Sequence, residues 1–294
     1  MLTIIGTLPD DTFPLSHGLA SLDGDNLLVD GLSVPVNRGT PALLGAAIAA
    51  TQTLNGPEIY TILIGDTGIG HGSRKLYRFL AESPSPFGPH QTPAGLTFHY
   101  LQPDVDWHNK VLFAVEALPV RPLLIADAGF MYAAKMSGQA RAYDLFTPDA
   151  GELAFLADEM APHPFYTRGF ILNQNNNVPD LIRQAWEHDN AADHLLVKGS
   201  IDRVARQGNI IETVDSPSEP AMEAIGGTGD TLTGMVSVLC AMGIEPVKAG
   251  IAAARANRLA GQMAAPTPAT QVMELIKNIP RALQQIKPST CFSY

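Results

Sequence analysis

The residues best suited to chemistry form a glycine-rich turn that ends in an acid. Gly226, Gly227, Thr228 and Gly229 stand directly before Asp230. If a helix begins at this turn, its first backbone N–H groups are unpaired and carry a partial positive charge, and the glycines place no Cβ in the path of an approaching phosphate. Asp230 would lie in the first helical turn, where the same field keeps its carboxylate ionised and able to accept a proton. The turn therefore predicts a phosphate-binding helix start with a base beside it. A plain glycine turn in which Asp230 only caps the helix is the structural alternative.

The residues after the turn predict the helix that this interpretation needs. From Leu232 to Cys240, apolar side chains recur at spacings of three and four, which places them on one face of a helix. Gly243 then marks the end of that helix. The helix is therefore predicted to begin at the glycines and to turn an apolar face toward the core.

The rest of the chain alternates short apolar runs with amphipathic stretches, a pattern typical of βα units around a mostly parallel sheet. Strands are predicted at residues 32–36, 59–64, 97–101, 123–126, 145–147 and 195–197, with a β-hairpin over residues 201–214. Helices are predicted at about residues 41–53, 73–81, 107–118 and 179–188, and the last third is mostly helical. The 294 residues suffice for one large core, so we predict a single α/β domain over residues 1–294.

The composition excludes several classes of partner. Asp and Glu number 29 against 19 Lys and Arg, a formal net charge of -10, and a field of this sign repels nucleic acid and anionic membranes. The longest apolar run, residues 43–50, is too short to cross a bilayer, and the first residues lack the basic segment of a signal peptide. Cys240 and Cys291 are too few and too far apart for a disulfide framework, and they suit a reducing compartment. We therefore expect a cytoplasmic protein that binds neither nucleic acid nor membrane.

The sequence contains no pattern typical of a metal site. Its eight histidines have no metal-ligand spacing, and no cysteine pair could bind zinc, so no protein-bound metal is predicted. Small-residue stretches such as residues 46–50 and 249–256 permit close helix packing, either within the fold or between subunits of a homo-oligomer.

Three short motifs follow one another in the second half of the chain. They are Thr-Pro-Asp-Ala-Gly-Glu at residues 147–152, Val-Lys-Gly at residues 197–199, and the glycine turn, which is followed by Leu232 and Gly234. Motifs in this order resemble the ribokinase-like superfamily, and within it the ATP- or ADP-dependent NAD(P)H-hydrate dehydratases. The resemblance covers about residues 122–264, and it implies a three-layer ribokinase-like fold in which helices flank a mostly parallel central sheet.

The resemblance implies a nucleotide site and a reaction. By position, the residues that would bind the nucleotide are Lys198, Gly199, Ser200, Ile201, Asp202, Gly226, Gly227, Thr228 and Gly229. Asp230 would be the catalytic carboxylate and would contact the substrate. The implied reaction uses ATP or ADP with Mg²⁺ to phosphorylate a hydrated nicotinamide ring, after which phosphate leaves and the dihydropyridine ring is restored. Without the motif, Lys198 would be interpreted as an exposed lysine at a strand end.

Three more residues, Thr40, Asp127 and Asp149, are candidates for contact with the substrate. Asp127 ends a predicted buried strand, at the edge where open α/β sheets bind ligands, and capping of the next turn is an equal alternative. Thr40 takes the place of a substrate-contacting alanine of the family. Asp149 takes the place of a histidine, and because an ionised aspartate only accepts hydrogen bonds, the ligand can differ. With Glu152, Asp149 also fits a helix capping box, which is the interpretation we favour.

Two further features depart from the family pattern. Arg38 would suit a phosphate or carboxylate, although we interpret it first as a solvated surface arginine. Residues 102–106 stand where the family has a glycine-rich segment, and a glycine-rich loop instead follows the second predicted strand at residues 65–72. We interpret that loop as a surface turn, with anion binding as the alternative.

These observations predict an ATP- or ADP-dependent dehydratase of hydrated NAD(P)H, or a close relative with an altered substrate. One alternative is a kinase on the same scaffold that phosphorylates a sugar or vitamin-precursor hydroxyl, which the polar residues Arg38 and Asp149 favour. Another is a nucleotide-binding regulatory protein without catalysis. Asp230 argues against that alternative, because a carboxylate beside a polyanion does not help binding alone.

Overall fold

The structure is a computed structural model of the chain. It describes residues 1–89, 92–163, 177–267 and 269–286, so Cys291 lies outside the described residues.

Strands in the described residues form one large sheet and one small sheet. They are β1 (Leu2–Leu8), β2 (Ser16–Leu19), β3 (Ser21–Asp23), β4 (Asn26–Val29), β5 (Leu32–Pro35), β6 (Ile59–Gly65), β7 (Gly95–His99), β8 (Leu123–Asp127), β9 (Leu145–Phe146), β10 (His194–Val197), β11 (Asp202–Arg206) and β12 (Asn209–Val214). The large sheet has nine strands in the order β12-β11-β10-β9-β8-β7-β1-β6-β2. Its inner strands from β10 to β6 are parallel, and antiparallel strands close both edges.

Helices cover both faces of this sheet and give the predicted three layers. They are α1 (Thr40–Leu54), α2 (His71–Glu82), α3 (Val105–Glu116), α4 (Gly129–Met136), α5 (Ala150–Ala157), α6 (Val178–Glu187), α7 (Thr228–Ala241), α8 (Pro246–Ala264), α9 (Val272–Ile276) and α10 (Ile279–Gln285). Two separate apolar clusters fill the space between the layers, one with α1 and α7 to α10 and the other with α2 to α6. Parallel strands need cover on both faces, which is why β1 and β7 are buried at every position.

Close packing of α1 against α7 brings two distant segments together. A Cβ added at Gly234 would lie 2.2 Å from the Leu43 carbonyl oxygen, so only glycine allows this approach. As a result, Arg38 and Gly39, which precede α1, meet the glycine turn that precedes α7. The motif glycine Gly234 therefore has a packing role that helps to form the site.

One predicted strand was assigned to the wrong sheet. Residues 32–36 were expected to form a strand of the parallel sheet, but β5 pairs antiparallel with β4 in the small three-stranded sheet. A short apolar run does not identify its partner strand, so the pattern could not distinguish the two arrangements. The pattern also does not predict β1, although that strand pairs with both β6 and β7 at the centre of the sheet.

Within the described ranges, no helix is both long enough and apolar enough to cross a membrane.

Candidate functional site

A cavity of about 670 Å³ opens where the carboxyl ends of β8 and β10 face the start of α7. Its walls include most of the predicted site residues: Asp127, Asp149, Lys198, Gly199, Ser200, Asp202, Gly227, Thr228, Gly229 and Asp230. The sheet edge that carries them is the edge where open α/β folds bind ligands, because the carboxyl ends of parallel strands meet there. The fold therefore brings the three sequence motifs to one cavity.

The start of α7 has the geometry expected of an anion-binding helix terminus. Gly227, the residue before the helix, has a φ of 100°, a backbone conformation that favours glycine. Among the described residues, no side chain caps this end of the helix, and its first residues line the cavity, so their N–H groups are available to a ligand. At Gly229 an added Cβ would lie 3.4 Å from the Lys198 side chain. The absence of a side chain at this position keeps open the space between the helix start and the lysine.

Asp230 lies at the inner end of the cavity and is held from two sides. The Gly39 N–H donates to its Oδ2 at 2.7 Å, and His99 Nε2 lies 3.1 Å from its Oδ1. Its side chain keeps 12% exposure, toward the cavity that it lines. Burial alone would raise the pKa of Asp230, but the contacts with His99, the nearby Lys198 and the Gly39 amide lower it below its usual value. The carboxylate is therefore ionised and faces the place where a substrate would lie.

Lys198 and Asp127 form a buried ion pair beside Asp230. Lys198 Nζ lies 2.9 Å from both carboxylate oxygens of Asp127, and the Thr233 hydroxyl donates to Asp127 Oδ2 at 2.6 Å. The side chains are only 11% and 1% exposed, so the interpretation of Lys198 as an exposed strand-end lysine is wrong. Burial would lower the pKa of Lys198, but Asp127 and the neighbouring Glu152 and Asp230 raise it. The lysine therefore presents a fixed positive charge beside Gly229.

His99 is part of this network, although the sequence analysis did not identify it. It ends β7 directly beside Asp127, which ends β8, and its side chain is fully buried. Nδ1 lies 2.9 Å from Thr40 Oγ1, and Nε2 lies between Asp230 and Asp127. The feature that singled out Asp127, a polar residue at the end of a buried strand, applies equally to His99.

Tyr100, the residue after His99, is another wall residue that the sequence did not indicate. Its φ of 58° lies in the left-handed region, which a bulky side chain rarely adopts. The side chain is 43% exposed and lines the cavity. Partial burial and the nearby carboxylates, Asp230 first among them, raise the pKa of its phenol. Tyr100 therefore stays neutral and offers an aromatic surface and a hydroxyl to a ligand.

Asp202 lies in the cavity wall but uses its carboxylate within the protein. Arg258 Nε donates to Asp202 Oδ2 at 2.8 Å, and the Gly199 N–H donates to Asp202 Oδ1 at 3.1 Å. Arg258 also donates to the carbonyl oxygens of Gly199 and Ser200. This arrangement fixes the loop after Lys198, and Arg258 is a further residue that the sequence analysis missed.

Three predicted site residues do not line the cavity. Thr40 is fully buried, its hydroxyl donates to the Thr7 carbonyl oxygen at 2.8 Å, and its side chain contacts His99 and does not line the cavity. Gly226 and Ile201 lie beside the cavity but outside its walls.

The capping box at the start of α5 was predicted correctly. The Asp149 N–H donates to Glu152 Oε2 and the Glu152 N–H donates to Asp149 Oδ1, both at 2.8 Å. Both side chains also line the cavity, so the structural role and a ligand role are compatible. Desolvation raises the pKa of Glu152 to about 8; Lys198 opposes this shift, and Asp127 and Asp149 add to it.

This raised pKa predicts a pH-dependent stability. Between the ordinary pKa of 4.5 and about 8, the unfolded chain loses the Glu152 proton while the folded chain keeps it, so the free energy of unfolding falls as pH rises. We expect Glu152→Gln to flatten this dependence without loss of the cap, because glutamine also serves in a capping box. Urea unfolding of both proteins at pH 5 and pH 8 measures the effect. An equal pH dependence in the two proteins would contradict the assignment.

Three groups at the inner end of the cavity approach one another as metal ligands do. Ligand atoms of His99, Asp127 and Asp230 all lie within 4.8 Å of one another. The Lys198 ammonium, however, already lies against both Asp127 oxygens, and His99 contacts Asp230 directly. Protein hydrogen bonds therefore account for these atoms, and we do not assign a metal to them. Because the three residues are far apart in sequence, no ligand spacing could have indicated the cluster.

The glycine-rich loop at residues 65–72 is fixed by its own carboxylate. Asp66 accepts hydrogen bonds from the N–H groups of Gly68, Gly70 and Ser73 at 2.7 to 3.0 Å. These contacts lower the pKa of Asp66 despite its burial, which alone would raise it. Because a carboxylate already occupies the start of α2, the loop's alternative role as an anion site is disfavoured.

Comparison with known proteins identifies the family. Residues 103–281 match the family model of the NAD(P)H-hydrate dehydratases, which is more than half of the chain. The chain belongs to this family. The matched segment contains Lys198, the glycine turn and Asp230, so these cavity residues lie within the part of the chain that matches the family.

Individual relatives agree with the family and differ in coverage. An uncharacterised protein of Methanocaldococcus jannaschii is 37% identical over 243 residues, which are 82% of this chain and 98% of that protein. An ADP-dependent (S)-NAD(P)H-hydrate dehydratase of Cenarchaeum symbiosum is 32% identical over 120 residues, 41% of this chain and only 37% of that enzyme. A ribokinase-like superfamily protein of Enterococcus faecalis shares the fold with a TM-score of 0.54 at 14% identity, covering 97% of this chain and 86% of that one. The ribokinase-like fold predicted from the sequence is therefore confirmed.

Proposed function

We propose that this chain is a cytoplasmic enzyme that uses ATP or ADP to dehydrate hydrated NAD(P)H through a phosphorylated intermediate. The observation that carries the proposal is the meeting, in one cavity of a dehydratase-family member, of an uncapped helix start, a buried lysine and an ionised aspartate. Phosphoryl transfer depends mainly on positioning and charge stabilisation, and these groups supply both.

On the nucleotide side, the amides of Thr228 and Gly229 and the Lys198 ammonium would bind the polyphosphate. The Asp149 carboxylate also lines the cavity, and an oxygen donor of this kind suits Mg²⁺, directly or through water. Mg²⁺ held by Asp149 would neutralise phosphate charge.

On the acceptor side, Asp230 would accept the proton of the substrate hydroxyl as the oxygen attacks the terminal phosphorus. The bond between that phosphorus and the nucleotide then breaks. Phosphate would next leave the ring carbon and the neighbouring ring carbon would lose a proton to water or phosphate, which together restore the dihydropyridine, as membership of the family suggests. Tyr100 offers an aromatic wall against which a flat ring can pack.

The direct test is an assay of NADH hydrate with ATP or ADP and Mg²⁺. We expect the absorbance of the dihydronicotinamide ring to recover in step with released phosphate, and only when a nucleotide is present. Phosphate release without ring recovery would reject this substrate but would still support the assignment of the nucleotide site. An absence of both, with either nucleotide, would reject the proposal.

Gly229→Ala should weaken nucleotide binding while leaving the fold intact. The new methyl group would enter the space between the helix start and Lys198 without meeting any backbone, and alanine favours a helix. We expect affinity for ATP and ADP to fall about 10- to 200-fold, the range for one misplaced methyl group in a binding site.

Titration calorimetry and thermal unfolding of the variant separate binding from stability. Gly18→Ala is a matched control, because Gly18 lies in β2 with room for a Cβ and away from the cavity. Unchanged affinity in Gly229→Ala would contradict the assigned phosphate site.

A small-molecule kinase is the second candidate. Asp149 favours it, because this acid lines the cavity and makes it more polar. Arg38 is less informative, since it lies beside Gly226 but outside the cavity walls. A stable phosphorylated product with a sugar or vitamin-precursor alcohol, and no released phosphate, would distinguish the kinase from the dehydratase.

A further inference from the structure

The buried imidazole of His99 contacts a polar group at each of its nitrogens. Nδ1 lies 2.9 Å from Thr40 Oγ1, and Nε2 lies 3.1 Å from Asp230 Oδ1 and 3.8 Å from Asp127 Oδ2. The side chain has no exposure to solvent, so its hydrogen-bond partners are these protein groups. The ring is therefore held in one orientation between α1 and the two carboxylates.

Counting the available hydrogens determines which nitrogen carries a proton. The single hydroxyl hydrogen of Thr40 is donated to the Thr7 carbonyl oxygen at 2.8 Å, because a carbonyl can only accept. Thr40 Oγ1 must then accept a hydrogen bond from His99 Nδ1, which places a proton on that nitrogen. Nε2 faces carboxylate oxygens, which also accept, so both nitrogens are required to donate.

An imidazole with both nitrogens protonated balances the charges that surround His99. The Gly39 amide and the Lys198 ammonium, which do not depend on the state of His99, favour the ionised form of Asp230. Asp127 and Asp230 thus bring two negative charges, and Lys198 compensates only one of them. A positive charge on His99 supplies the other, as buried charges require a partner. The other ring in contact with His99 is that of Tyr100, whose phenol is neutral.

We propose that His99 is a positioning residue for Asp230 and that it acts as a doubly protonated imidazole. It holds the carboxylate in one plane together with the Gly39 amide, with the free side of the carboxylate toward the cavity. Because Nε2 already carries a proton, the proton that Asp230 accepts stays on Asp230 at the cavity and is not relayed inward. This last step rests on the proposed function, whereas the protonation state does not.

Another buried histidine provides a control within the same molecule. His108 is also fully buried, with Nε2 2.8 Å from the Tyr143 hydroxyl and Nδ1 3.0 Å from Ser137 Oγ. Its partners in the described part of the chain are these hydroxyls and the Asn109 side chain, with no carboxylate among them, and burial lowers its pKa to about 4 although Asn109 opposes the shift. At pH 7 His108 should therefore carry one ring proton where His99 carries two.

Nitrogen-15 NMR of the wild-type chain at pH 7 tests the protonation state without any substrate. The signals are assigned from the spectra of His99→Gln and His108→Gln. We expect two protonated ring nitrogens for His99 and one for His108. A single protonated nitrogen on His99 would overturn the proposal, even if the enzyme is active.

Kinetics test the positioning role. We expect His99→Leu to lower kcat about 10- to 100-fold, the loss found when the residue that orients a functional group is removed. The KM for the nucleotide should change little. His99→Gln keeps a donor toward Asp230 and should restore part of kcat, while His108→Gln should leave it unchanged. Equal losses in His99→Leu and His108→Gln would mean that His99 is only structural. If the wild-type chain turns over no acceptor, the proposed function fails, and the NMR result still decides the state of His99.

Discussion

Asp230→Asn is expected to lower turnover about 10²- to 10⁴-fold, the usual contribution of a general base. The amide cannot accept a proton. The amide also cannot keep both hydrogen bonds of the carboxylate. Its oxygen must accept from the Gly39 N–H, so its NH₂ group would face His99. Nucleotide affinity should change little, since the amides of the helix start and Lys198 remain. Steady-state kinetics and nucleotide titration of the same preparation measure the two effects.

A first-turn acid on another helix provides the control for this variant. Asp106 lies in the first turn of α3, is exposed and does not line the cavity. Asp106→Asn should therefore leave turnover unchanged. Wild-type turnover in Asp230→Asn would remove the base assignment, and a parallel loss of nucleotide affinity would mean that Asp230 acts in binding.

Lys198→Met is expected to destabilise the fold by about 3–5 kcal/mol, the range found when one member of a buried ion pair is removed. The variant leaves the Asp127 carboxylate, which is 1% exposed, with the Thr233 hydroxyl and the Ala128 N–H, and His99 at 3.8 Å is already engaged with Asp230 at 3.1 Å. It should also weaken nucleotide binding, because Lys198 is the ammonium beside Gly229. Urea unfolding gives the stability change, and titration with ADP gives the affinity.

Two comparisons make the interpretation of Lys198→Met specific. The double variant Lys198→Met with Asp127→Asn removes the unpaired charge, so it should be more stable than Lys198→Met alone. Lys277 pairs with Asp25 at 2.7 Å, but both side chains are more than half exposed, so Lys277→Met should lose at most about 1 kcal/mol. If Lys198→Met loses no more stability than Lys277→Met, the buried pair does not have the role assigned to it.

Local signals in the sequence correctly predicted the elements that carry the site. The spacing from Leu232 to Cys240 and the glycines before it predicted α7, and the Asp149 and Glu152 pair predicted the capping box. Each of these patterns depends on residues a few positions apart, where helix geometry and hydrogen bonding are decided locally. Even so, Thr40, predicted from the family to contact the substrate, is buried beneath His99.

Contacts between distant segments could not be predicted in this way. Lys198 meets Asp127 across 71 positions, and His99 meets Asp230 across 131. Their pairing depends on the order of strands in the sheet, which no local pattern specifies. The wrong assignment of β5 has the same cause, because a strand of four residues is compatible with either sheet until its partners are known.

A structure of the chain with a non-hydrolysable ATP analogue and Mg²⁺ tests the central claim most directly. We expect phosphate oxygens about 2.7–3.2 Å from the amide nitrogens of Thr228 and Gly229, with Lys198 beside them and the carboxylate of Asp230 facing the terminal phosphate. A polyphosphate bound elsewhere, such as beside the loop at residues 65–72, with the start of α7 left free, would contradict it.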